Sequence, residues 1–72
     1  MVKYSNLKKG SRVLGYEIGN DYIRVWFEGK NTPKTFSTTK AGETHVETMK
    51  KMAQEGHGLH RYIKRHVENL ND

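Results

Sequence analysis

The sequence predicts an α+β domain: a three-stranded antiparallel sheet, β-β-β-α-α in chain order, with two C-terminal helices packed on one face. Three observations predict it. Ile23, Val25 and Phe27 alternate with Tyr22, Arg24, Trp26 and Glu28, the period-2 pattern of a strand with one buried face. Arg12 to Ile18 reads as a partner strand ahead of it. Beyond Thr38 the apolar residues recur at helical rather than strand spacing.

The hairpin comes first. With Asn20-Asp21 as a two-residue loop, residues that tolerate the left-handed conformation of tight turns, Ile18 sits opposite Ile23, Tyr16 opposite Val25 and Leu14 opposite Phe27. All six then share the core face. On the other face Glu17 meets Arg24 and Gly15 lies beneath Trp26. A one-residue slip would put Glu17 among the apolar side chains, so the register is specified. Phe27 is expected deep in the core, under both helices.

Gly29 to Pro33 is a turn too long to fix a register, and Lys34 to Thr38 supplies a short edge strand with Phe36 directed inward. A first helix, capped by Thr38 or Thr39 and ended by Gly56, buries Val46, Met49 and Ala53, with Met52 beside them. A second opens at Gly58 and carries one apolar stripe of Leu59, Tyr62, Ile63, His66, Val67 and Leu70. Ahead of the domain, assigned to 11–70, residues 1–10 read as a loosely held basic arm with Lys3, Lys8 and Lys9, in which Tyr4 and Leu7 can pack back onto the core.

Four stretches resemble the KTSC domain, a short domain named from the C-terminus of some lysyl-tRNA synthetases. They are Gly15-Tyr16-Glu17, the strand Ile23 to Gly29, the helix His45 to Ala53, and Gly56 to Lys64 with its Gly-rich junction. The likeness spans roughly residues 11 to 67. Lys34-Thr35-Phe36 stands where the family has Tyr-x-Tyr, and His60 stands at an Asn-like position. The resemblance implies the same β-β-β-α-α order. Of function it implies only a hint of RNA, through the synthetase link.

Seventy-two residues make one small domain whose core gives a few kcal/mol of net stability. With no cysteine, no disulfide or thiolate site supplements it. No apolar run approaches the roughly 20 residues that span a bilayer, and Met1 to Asn6 has no signal-peptide character. A soluble cytoplasmic protein is the expectation. The formal charge of +5, from 13 Lys+Arg against 8 Asp+Glu, favours a polyanionic partner, nucleic acid first.

The candidate site follows from that charge. Tyr22, Arg24 and Trp26 lie on the solvent-facing side of the central strand, and Lys8, Lys9, Arg12, Lys30 and Lys34 are expected nearby. Aromatic platforms flanked by bases stack single-stranded nucleotides on sheet surfaces. The plainer alternative has Trp26 covering the bare backbone of Gly15 and Arg24 serving only Glu17. Arg61, Lys64 and Arg65 on the last helix offer further phosphate contacts, or simply a solvated face. A protein docking on the free sheet face or edge strand would use Trp26 and Tyr22 as anchors instead. Two demands discriminate: phosphate binding needs clustered positive potential, and a protein interface needs a contiguous apolar patch.

Enzymatic, cofactor and metal chemistry are not expected, nor is a small-molecule substrate. His45, His57, His60 and His66 lack a cysteine to complete a zinc site, and no Ser, His and carboxylate set shows catalytic spacing.

Overall fold

The computed structural model describes residues 1–5 and 12–72, and its sheet has four strands rather than three. The strands are β1 (Val2–Lys3), β2 (Val13–Ile18), β3 (Tyr22–Phe27) and β4 (Lys34–Ser37). They lie in the order β1-β2-β3-β4, each antiparallel to its neighbour. The additional strand corrects the expectation of a loose arm for residues 2–4. Val2 and Lys3 pair with Tyr16 and Gly15, and the Tyr4 N–H donates to the Leu14 carbonyl at 3.1 Å. The Tyr4 side chain enters the core at 1% exposure. Its phenolic oxygen accepts the Leu59 N–H at 3.2 Å, so the N-terminal segment satisfies the first donor of the last helix. Burial pushes the Tyr4 hydroxyl above the usual phenol pKa, although the Leu59 hydrogen bond opposes the shift. Lys8, Lys9 and Leu7 fall outside the described residues.

The β2–β3 hairpin has the anticipated pairs Ile18↔Ile23, Tyr16↔Val25, Glu17↔Arg24 and Gly15↔Trp26. The Gly19 N–H donates to the Tyr22 carbonyl at 3.0 Å, which closes the loop around Asn20 and Asp21. At the far end the structure departs from the expectation. Val13, not Leu14, opposes Phe27, and the register shifts between Val13 and Gly15. Leu14 is the extra residue of a β-bulge and is 44% exposed. Its carbonyl is the group that Tyr4 binds, so the bulge and the N-terminal strand support each other.

β3 buries Ile23, Val25 and Phe27 on the helix-covered side and leaves Tyr22, Arg24 and Trp26 half-buried on the other. The core is deepest at Ile23, Val25, Phe36, Val46, Met49, Leu59 and Val67, all fully buried. Phe27, at 9%, lies at the sheet's end, shallower than expected.

Helix α1 runs Glu43–Glu55 and buries Val46, Met49 and Ala53 as the spacing requires. It begins later than Thr38 or Thr39 suggested. The Ala41 and Gly42 N–H groups donate to the Ser37 and Thr38 carbonyls in a turn that buries Ala41, and Gly42 at φ 98° marks the helix start. Gly56 ends the helix in the left-handed conformation, its N–H donating to the Met52 carbonyl. Lys50 ties α1 to the hairpin loop through the Asn20 carbonyl at 3.2 Å.

The second helix is α2 (Leu59–Tyr62), which continues into a π-helical turn at Ile63–Val67. Leu59, Ile63 and Val67 are buried, while Tyr62 and Leu70 pack against the core. His66 does not join them and is exposed. A π turn winds more widely than an α turn, so positions four apart stay aligned and the residue three along is carried outward. The chain's end covers the β4 edge: the Asp72 N–H donates to the Thr35 carbonyl at 2.7 Å, and Ser37 Oγ donates to Asp72 Oδ1 at 2.8 Å.

Candidate anion-binding cleft

The expected site residues separate into two groups on opposite sides of the sheet. The first stays on the solvent-facing side, where Tyr22 and Arg24 are held by their own neighbours. The Tyr22 hydroxyl donates to Glu17 Oε1 at 3.1 Å, and its ring covers Gly19 so closely that a side chain there would overlap it. Arg24 forms a 2.9 Å ion pair with the same Glu17 oxygen, donates through Nε to Thr35 Oγ1 at 3.1 Å, and places its guanidinium 5.2 Å from the Tyr22 ring centre. Trp26 stands half-buried beside this network. The atoms nearest the open side of Gly15 are Met1 Sδ and the Val2 carbonyl, so Met1 is the nearest cover over that backbone, not Trp26.

The second group lies across the sheet. Lys34 pairs with the buried Val25, and cross-strand partners share a face, so Lys34 leaves β4 on the helix side. Its Nζ sits 6.0 Å from the Phe27 ring centre. Arg12 arrives from just before β2, anchored where its carbonyl accepts the Glu28 N–H at 2.7 Å. Lys30 comes from the β3–β4 turn, which the Lys30 N–H tightens by donating to the Phe27 carbonyl at 3.2 Å. Together with His60 and Lys64 of the last helix they line a cleft of about 250 Å³ with Phe27 and Ile63 in its wall. Two carboxylates, Glu28 and Glu68, complete the lining.

The electrostatics are one-sided. Four formal cations stand against two carboxylates, a net of two positive charges around one small concavity. Among the described residues the ion pairs are Arg24–Glu17 and Lys50–Glu47, neither of which involves a cleft cation. His60 lies 6.1 Å from Phe27, ring centre to ring centre. Partial burial, then the positive charges of Lys64 and Arg12, hold its pKa below the usual histidine value. At neutral pH its ring is an uncharged hydrogen-bonding group inside a cationic wall.

Sequence reading anticipated Arg12, Lys30 and Lys34 as anion contacts but set them on the wrong side of the sheet. It weighed Lys64, with Arg61 and Arg65, as a phosphate contact or a solvated helix face, and it did not place His60 among the anion contacts. The missing signal was the β3–β4 register: once Lys34 is known to oppose Val25, its side is determined. His45 and His66 gather elsewhere. His45 Nδ1 and the Tyr62 hydroxyl share a 2.6 Å hydrogen bond, and His66 stacks on the His45 ring and lies tilted against Tyr62. Among the described residues no group of three or more His, Cys, Asp or Glu is placed to hold a metal ion. No described helix is long and apolar enough to cross a membrane. In comparisons with models of known families, with curated proteins and with solved structures, the chain matches none.

Proposed function

We propose that this chain is a small non-catalytic binding module that takes hold of nucleic acid, RNA or single strands, by the phosphate. The observation that carries this reading is the convergence of Arg12, Lys30, Lys34 and Lys64 on one cleft, none of them in an ion pair among the described residues. Four cations held together against only two carboxylates leave net repulsion, which an entering anion relieves. The chain's net charge of +5 acts in the same direction at longer range. The resemblance to the KTSC domain, through its synthetase link, adds only a hint of the same partner class. Trp26, on the far side of the sheet, is available for stacking but is not required.

The test is binding of fluorescent RNA and DNA oligomers at two salt concentrations. Affinity should fall steeply with salt, because each phosphate neutralised releases counterions. Absence of binding at about 50 mM salt, where such contacts are strongest, would refute the reading. A docking module for a larger protein would then be preferred. That reading is favoured by the exposed Met1, just ahead of β1, and by the exposed Val2, Leu14 and Ile18 on the first two strands.

A further inference from the structure

We infer that the cleft recognises a terminal phosphomonoester, the phosphorylated end of a nucleic-acid strand, in preference to the phosphodiesters within it. The inference rests on the nucleic-acid reading above and narrows it to one chemical group.

Size is the first argument. Sites for drug-sized ligands occupy roughly 300–1,000 Å³, and this cleft has about 250 Å³. It is too small to take in a drug-sized ligand whole, but a terminal phosphate with part of its sugar fits within it.

The second argument is direction. The cations approach from three separate parts of the chain: Arg12 ahead of β2, Lys30 and Lys34 around β4, and Lys64 on the last helix. Donors arriving from several sides match the three free oxygens of a monoester. A diester exposes only two, one to each side of the strand.

Charge is the third. The lining's net of two positive charges balances a monoester, which carries about −1.5 to −2 at neutral pH. A diester, with a single charge, would leave an excess. Glu28 and Glu68 offset two of the four cations and so set that balance. His60, uncharged at neutral pH, adds a hydrogen bond without adding charge.

The experiment compares one single-stranded oligonucleotide in three forms, with a 5′-phosphate, a 3′-phosphate or neither, by fluorescence anisotropy at about 50 mM salt. The wild-type chain should bind at least one phosphorylated form about 10-fold more tightly than the unphosphorylated one, the effect of one charge-assisted contact set. The double variant Lys34→Gln, Lys64→Gln should lose that preference while keeping its circular dichroism. Sodium phosphate should displace the phosphorylated oligonucleotide more effectively than sodium chloride of equal ionic strength. Equal affinity for all three forms overturns the end-specific inference, and the nucleic-acid reading survives if that binding still falls with salt and with the lysine substitutions. Failure of every form to bind overturns both. If the double variant is unfolded, Arg12→Gln serves in its place, since Arg12 is exposed and lies just outside β2.

Discussion

The two sides of the sheet carry similar residues and differ in what those residues have left to offer. On the open side, Arg24 and Tyr22 share the Glu17 carboxylate, and Arg24 also reaches Thr35. On the helix side, Arg12, Lys30, Lys34 and Lys64 face a common space and none of them is ion-paired among the described residues. A basic and aromatic surface is therefore not in itself a binding surface. Arg24 is the more conspicuous residue in the sequence, between two aromatics, and the structure shows it already occupied. What separates the two regions is the disposition of carboxylates: Glu17 lies directly across from Arg24, whereas Glu28 and Glu68 line the cleft without forming an ion pair to its cations among the described residues.

The largest effect should come from the core that underlies both regions. Phe36 is fully buried between them, and Phe36→Ala should cost about 3–5 kcal/mol, comparable to the whole stability of so small a domain. Thermal melting should show the variant largely unfolded. A shift of only a degree or two would mean that the sheet is not anchored at β4, and the cleft would lose the strand that positions Lys34.

A smaller effect separates the two faces. Arg24→Gln removes a pair whose side chains are 37% and 42% exposed, so its loss should reduce stability by only about 0.2–1 kcal/mol, with oligonucleotide affinity unchanged. Lys64→Gln should do the opposite, leaving the melting temperature alone and flattening the salt dependence of binding by about one unit of slope. If the Arg24 variant weakened binding and the Lys64 variant did not, the assignment of the two faces would be reversed.

The smallest effect is in pH. His60 titrates below its ordinary value in the folded chain, so between the folded pKa and the unfolded value near 6.5 the unfolded state holds more protons. Stability therefore rises with pH through that window and falls as the solution is acidified below about pH 6.5. His60→Gln should flatten this portion of the profile in urea titrations. An unchanged slope would place His60 in solvent rather than in the cationic wall.

Much of the fold was legible because several local signals agreed. In the hairpin the Asn20-Asp21 turn, the Glu17 and Arg24 pair and the alternation of Ile23, Val25 and Phe27 all demand one register, and that register is found from Gly15 to Ile18. The misreadings have non-local causes. Leu14 is turned out by a bulge whose carbonyl is satisfied by Tyr4, ten residues earlier, and two-residue β1 is too short for any periodicity to announce. Thr38 and Thr39 look like helix caps, but the chain spends them in a turn that first buries Ala41. His66 lies on the stripe of an α-helix and leaves it because the last turn is π. The cleft was half legible. Its basic residues were recognised individually, but the turn from Gly29 to Pro33 hides the β3–β4 register, and with it the side on which Lys34 emerges.

The central claim, that the cleft and not the open sheet face receives the anion, is tested most directly by nuclear magnetic resonance during titration with a phosphorylated oligonucleotide. Trp26 is the sole tryptophan, so its indole N–H is an unambiguous reporter of the open face. The His60 ring and the backbone amides of Lys30, Lys34 and Lys64 report on the cleft. The predicted result is saturable shifts at His60, Lys30, Lys34 and Lys64 while the Trp26 indole and the Tyr22 and Arg24 amides stay in place. Shifts led by Trp26 and Tyr22, with the His60 ring unmoved, would contradict the account.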